Sequence, residues 1–304
     1  MQSALIIGFG SIGARHVRIL TELGLQVAAV TRNAACTVPA FQNIGRALAQ
    51  RAPELVVVCN ETARHLQTLE QLASGGYTGF VLVEKPLSDR PLPARNWPFA
   101  GIYVAYNLRF HPVVQALRNA LVAEKIISAE VYAGQYLPDW RPGRDYRQTY
   151  SAHRDAGGGV LRDLSHELDY VQMLFGGCQR VAAIGGHFST LEIDSDDAWA
   201  VLMQLERCPL LTLQVNYLER APRREISVNS EAHSYRADLI AGVLWRDGVE
   251  QRFECERNTT YRLQAQALIS GSHATLASLQ DGENVVHLVK NIETAATQAR
   301  WMET

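Results

Sequence analysis

The sequence predicts two domains of different class. The first, residues 1–106, is α/β; the second, residues 107–304, is α+β with an open, largely antiparallel sheet. Three observations carry this. The first third alternates short, fully apolar runs with helix-length amphipathic segments, the pattern of a parallel sheet covered on both faces. Beyond residue 176 the rhythm changes to apolar runs at short spacing, broken by turn signals such as Asp247-Gly248, which is the pattern of antiparallel hairpins. The chain, 304 residues and 47% hydrophobic, is long enough to bury two cores.

The first strand is expected over residues 3–7. It runs into Gly8-Phe9-Gly10-Ser11-Ile12-Gly13, a G-x-G-x-x-G fingerprint, and then a helix stopped by Gly24. In a dinucleotide site each glycine serves a separate need. Gly8 allows a tight strand-to-helix turn, Gly10 allows close approach of backbone amides to a pyrophosphate, and Gly13 allows the helix to pack on the sheet. This makes the N-terminal α/β domain a Rossmann domain. The second strand, residues 26–30, ends in Thr31-Arg32-Asn33. An acid here would hold a ribose 2′-hydroxyl, whereas an arginine accommodates a 2′-phosphate, so Thr31 and Arg32 favour NADP over NAD.

A helix over residues 44–51 and a buried strand over 54–59 lead to Asn60-Glu61-Thr62-Ala63-Arg64-His65. The next strand, residues 80–83, ends in Glu84-Lys85-Pro86, and a further one covers 101–105. Carboxyl ends of parallel strands are where ligands bind in such sheets, so Asn60, Thr62, His65, Glu84 and Lys85 are candidate cofactor-binding residues.

The second domain opens with Asn107-Leu108-Arg109-Phe110-His111-Pro112, a helix over 113–124 and a strand over 127–136. Residues 137–156 form a long polar and aromatic loop; Arg109, with Arg144 and Tyr146 of that loop, are candidate contacts to an anionic or polyhydroxylated substrate. Gly157-Gly158-Gly159 precedes a helix over 160–175, which carries Asp163, His166 and Asp169 three residues apart. Strands at short spacing over 180–254 and helices near 258–270 and 291–302 complete the chain.

A net charge of −2 argues against a nucleic-acid-binding protein, which is expected to carry a basic face. Five scattered cysteines, none in a C-x-x-C pair, read as reduced thiols and not as a disulfide or zinc framework; no metal site is expected. No apolar run reaches membrane-spanning length, so a cytoplasmic protein without membrane contact is expected. Apolar residues on both parities of several second-domain strands point to burial between subunits, as a homodimer or homotetramer.

Taken in order, the glycine fingerprint through His16, the Asn60–His65 segment, Glu84-Lys85-Pro86, Asn107–Pro112, and Gly157-Gly158-Gly159 with Asp163, His166 and Asp169 resemble the Gfo/Idh/MocA oxidoreductases, the family of glucose–fructose oxidoreductase and inositol dehydrogenase. Residues 141–150 and 163–169 also look like members associated with nonulosonate, sialic-acid-like sugar genes. The resemblance implies an NAD(P)-dependent oxidoreductase acting on a CH–OH group of a sugar, aminosugar or sugar acid. Lys85 would hydrogen-bond the reacting oxygen and His166 would be the general acid/base. A histidine suits that role because its pKa lies near working pH. Asp163 joins them as a catalytic candidate, but it stands three residues before His166 where the family pattern has four. Two other readings stay open: an NADP-binding regulator of the same fold without turnover, and a reductase of a non-sugar substrate.

Overall fold

The computed structural model describes residues 1–304. The chain divides into two compact units, Met1–Asn107 with Asn258–Val286, and Leu108–Arg257 with His287–Thr304.

The first unit begins with β1 (Ser3–Ile7), α1 (Ser11–Glu22), β2 (Gln26–Val30), β3 (Ala40–Phe41), α2 (Ile44–Arg51), β4 (Leu55–Val58), α3 (His65–Ser74), β5 (Phe80–Val83) and β6 (Gly101–Val104). Its strands lie in the order β6-β5-β4-β1-β2-β3, all parallel. Every residue of β4 is buried, because helices cover both faces of such a sheet. The order reverses at β1, and ligands bind such sheets beyond the strand ends at this reversal.

The second unit contributes α4 (Pro112–Ala120), β7 (Ile126–Gly134), α5 (Val160–Asp163), α6 (Ser165–Phe175), β8 (Cys178–Gly186), β9 (Ala198–Leu205), β10 (Cys208–Asn216), β11 (Arg223–Ser230), β12 (Ser234–Asp238), β13 (Val243–Arg246) and β14 (Val249–Arg252). The chain then runs through α7 (Thr259–Ser270), β15 (Ala277–Ser278), α8 (Leu279–Gln298) and β16 (Met302–Glu303). The second sheet has the order β14-β13-β12-β11-β7-β10-β9-β8-β16, and β7/β10 is its one parallel pair. Alternation along β9 and β10 sends Val201, Met203, Leu211 and Leu213 inward, where α5 packs on both strands. The other parity leaves Leu202 of β9 and Leu210 of β10 exposed, and Leu202 with Ile184 of β8, 74% exposed, lines a depression of about 500 Å³ walled also by Trp301 and Ala299.

The structure departs from the sequence reading at three places. The helix expected over 160–175 is two helices, because Leu164 leaves helical geometry (φ −98°, ψ 31°) between α5 and α6. The last helix begins at Leu279, twelve residues before the expected start at 291. Ser278 and Asp281 form the reciprocal bonds of a capping box there: Ser278 N and Oγ each donate to Asp281 Oδ2 at 2.7 Å, and Asp281 N donates back to Ser278 Oγ at 3.2 Å. Finally, a single cut at 106/107 does not describe the chain, because residues 258–286 return to the first unit. There β15 pairs antiparallel with β6, and Asn107 Nδ2 donates to Thr260 Oγ1 at 2.6 Å. No helix is long and apolar enough to cross a membrane, and all five cysteines are free thiols.

Candidate active site

Register builds the first half of the site. Ile7 pairs with Val30 and with Val58, and Val58 pairs with Val83, so the four strands end level. The residues that follow them, Gly8, Thr31, Cys59-Asn60 and Glu84-Lys85, therefore emerge side by side along one edge.

Gly8 has φ +97°, and a Cβ there would lie 2.8 Å from the backbone of Cys59 and Asn60, so only glycine lets β1 and β4 run this close. A Cβ on Gly13 would strike the Gly8 carbonyl, so the α1 glycine lets the helix sit on the turn before it. Gly10, by contrast, has nothing within 4 Å of a would-be Cβ. The first turn of α1 has neither a side-chain cap nor an acidic residue, which leaves its amides and the positive helix end to a ligand. Arg32 is exposed at the end of β2, while Thr31 Oγ1 accepts from Asn33 N at 3.0 Å. Asn33, not singled out from sequence, donates from Nδ2 to the Phe9 carbonyl at 3.0 Å and ties this strand end to the glycine loop.

Glu84 and Lys85 sit between two buried histidines. His16 Nε2 meets Glu84 Oε1 at 2.8 Å, and Glu84 Oε2 accepts from Lys85 N at 3.2 Å. Tyr261 of α7 lies edge-on to His16, with Arg15 over its face at 4.7 Å. His65, expected to bind cofactor, is instead 1% exposed, with both ring nitrogens directed at backbone carbonyls of Asn60, Pro86 and Leu87. Thr62 is buried in the turn that precedes α3. Asn60 Nδ2 donates to Thr68 Oγ1 at 2.8 Å, while its buried Oδ1 has no partner. Burial, and then the Glu84 charge, push the Cys59 thiol well above its ordinary range, so it is neutral packing and not a nucleophile.

In the second unit His166 is the second residue of α6, buried like its neighbours. Two carboxylates of α6 are held by arginines. Asp169 takes Arg109 in a two-pronged pair with bonds of 2.7 to 3.1 Å, and Glu167 meets Arg224 at 2.8 Å. Arg109, expected to contact substrate, thus braces the His166 helix, and Asp169 answers Arg109. Asp163 lies across the Leu164 break from His166, so their three-residue spacing is not that of one continuous helix. Its Oδ2 accepts from Tyr217 Oη at 2.6 Å, and Tyr150 also hydrogen-bonds it. Burial and the Asp163 charge hold the Tyr217 phenol well above its ordinary range, so it remains a donor at neutral pH.

The loop over 137–156 is a chain of single turns, with Arg144 exposed and Tyr146 Oη accepting from Glu192 N at 3.2 Å. Its anchor escaped the sequence reading. In Asp194-Ser195-Asp196-Asp197, Ser195 Oγ donates to the Ser151 carbonyl at 2.7 Å, and Asp196 accepts from Leu161 N at 3.1 Å and Trp199 Nε1 at 2.7 Å. The segment therefore fixes both the loop and the start of α5. The signal was a run of acids after a loop, which from sequence reads as a solvated surface.

Comparison with known proteins decides the family. Residues 3–96 match the model described as "Oxidoreductase family, NAD-binding Rossmann fold", and residues 114–236 match the GFO/IDH/MocA C-terminal domain. The chain belongs to the GFO/IDH/MocA oxidoreductase family. No curated protein matches it in sequence. Solved structures share its fold. GenD2 from gentamicin A biosynthesis, in complex with NAD, is 20% identical, with a TM-score of 0.81 over 100% of this chain and 96% of that one. UDP-N-acetylglucosamine 3-dehydrogenase GnnA from Acidithiobacillus ferrooxidans is 18% identical, with a TM-score of 0.77 over 97% and 98%. Levoglucosan dehydrogenase, in complex with NADH and levoglucosan, is 13% identical, with a TM-score of 0.83 over 99% of each chain.

The oxidoreductase's first unit fits a nicotinamide dinucleotide. The open space at Gly10, the uncapped α1 and the unpartnered Asn60 Oδ1 all lie along the strand-end edge, and they offer amide donors for phosphates and a buried acceptor for a hydroxyl.

Proposed function

We propose that this protein transfers hydride between a nicotinamide cofactor, NADP in preference to NAD, and a secondary alcohol or carbonyl of a sugar, aminosugar or sugar acid. The observation that carries the reading is the single edge on which four level strands present Gly8, Thr31, Asn60 and Lys85. The bound nicotinamide supplies the hydride acceptor or donor. The chain's own residues bind and orient the reactants and move the proton. Lys85 holds the reacting oxygen with its ammonium, which stabilises developing alkoxide charge. His166 exchanges the hydroxyl proton. Asp163, held by Tyr217 and Tyr150, is a fixed acceptor of the site and not a proton carrier. The exposed Arg144 and the ring of Tyr146 are the loop's contacts to substrate.

Levoglucosan dehydrogenase and UDP-N-acetylglucosamine 3-dehydrogenase, both of this fold, are named for sugar substrates, which supports the substrate class. The basic loop supports an acidic sugar within it, as in the nonulosonate-linked members. Arg32, in a strand end without a carboxylate, supports NADP. The apolar outer face at Ile184, Leu202 and Leu210 supports a homodimer or homotetramer.

The test is a panel of NADP and NAD with levoglucosan, UDP-N-acetylglucosamine and free sugar acids, followed by nicotinamide absorbance. Turnover lost in Lys85→Ala and in His166→Ala, with cofactor affinity kept, supports the roles given; wild-type turnover in either removes its role. Tight cofactor binding with no turnover on any sugar would leave a binding protein. Arg32→Ala should weaken NADPH more than NADH, and equal weakening would remove the case for NADP.

A further inference from the structure

The imidazole of His65 lies between two of the turns that make the strand-end edge. His65 heads α3; its Nε2 meets the Asn60 carbonyl at 3.1 Å, and its Nδ1 meets the Pro86 and Leu87 carbonyls at 3.2 Å each. Every partner is an acceptor, yet a neutral imidazole carries one N–H. Burial holds the His65 pKa below its ordinary value, against the pull of these carbonyls and of Glu84, so the ring is neutral at neutral pH. The Nδ1–H tautomer serves two carbonyls where the Nε2–H tautomer serves one. In the former the ring's single donor goes to the turn directly after Lys85. On the other side of Lys85, Glu84 is already fixed by His16. Lys85 thus leaves a backbone segment held at both flanks by histidines of different helices, α1 and α3.

We propose that His65 is a positioning residue for Lys85: through Nδ1–H it fixes the Pro86 and Leu87 carbonyls, and with them the direction in which the Lys85 side chain leaves the turn after β5. Its consequence for catalysis rests on the reading of Lys85 as the group that meets the reacting oxygen. The cradle itself is independent of that reading, since it is made entirely of residues in the first unit.

The sequence makes the test direct, because Lys85, Lys125 and Lys290 are the chain's three lysines. Reductive methylation of the whole protein with isotope-labelled formaldehyde gives three lysine dimethylammonium signals beside that of the terminal α-amine, and Lys85→Arg identifies the first. Asparagine places an amide N–H near the position of Nδ1, and glutamine near that of Nε2, so the two variants separate the two sides of the ring. His65→Gln should move the Lys85 signal by more than its line width and leave Lys125 and Lys290 in place. His65→Asn should leave all three within a line width. A Lys85 signal unmoved in both variants, moved equally by both, or moved only together with the other two lysines overturns the proposal. If glutamine prevents folding, the nitrogen spectrum of histidine-labelled wild type decides, since a proton on Nε2 alone overturns it. Turnover of Lys85→Ala is a separate readout: wild-type turnover there removes the catalytic role of Lys85 without touching what the lysine signals say about how it is held.

Discussion

Mild acid should destabilise the second unit through one side chain, His111. It sits at the N-cap of α4, where its Nδ1 accepts from Val113 N at 3.3 Å, and it is 5% exposed. Burial is the main cause that lowers its pKa from 6.5 to about 4; a backbone hydrogen bond with Leu239 opposes this and the Arg224 charge adds to it. The folded protein therefore binds this proton more weakly than the unfolded chain. Its contribution is complete above the unfolded value and is lost as pH falls from about 6.5 through about 4. The linkage relation gives a loss of about 2 kcal/mol between about pH 7 and about pH 5, reaching about 3 kcal/mol near pH 4. His111→Asn keeps a side-chain acceptor at the cap and removes the titration. Urea unfolding of wild type and variant at the two pH values should therefore show wild type losing about 2 kcal/mol more than the variant. Parallel losses in the two proteins would refute the assignment of a buried, neutral His111.

Three further outcomes rest on contacts already described. Gly13→Ala drives a methyl into the Gly8 carbonyl, so NADPH affinity measured by fluorescence should fall about tenfold, or ~1.4 kcal/mol, and an unchanged affinity would contradict the close approach of α1 to its turn. Asp169→Asn leaves the Arg109 guanidinium, with a side chain 7% exposed, without its anion; urea unfolding should show a loss of about 3–5 kcal/mol, against well under 1 kcal/mol if the pair were solvated. Replacing Ile184 and Leu202 with glutamate should dissociate the expected homo-oligomer in a sedimentation experiment, and a wild type that sediments as a monomer at micromolar concentration ends that expectation.

Local features were legible in the chain alone. Gly8, Gly10 and Gly13 specify a turn, a clear approach and a close packing within one β–α step, and runs such as Leu55–Val58 announce a strand buried on both faces. Those patterns placed Asn60 and Lys85 at strand ends, because hydrophobic period and turn chemistry act over a few residues. The capping box at Ser278 and Asp281 was equally local, a serine three residues before an acid at the head of a helix, yet the helix was expected only from residue 291. Which polar groups answer one another was settled by the fold and by nothing shorter in range. Asp169 finds Arg109 sixty residues away, and Asp163 finds Tyr217 fifty-four residues away, partners that the three-residue spacing around His166 could not name. The return of residues 258–286 to the first unit and the stapling of Pro86 and Leu87 by His65 belong to the same class. A buried donor or acceptor must be satisfied by whatever the fold brings within about 3 Å, and chain separation carries no information about that until the two cores have formed.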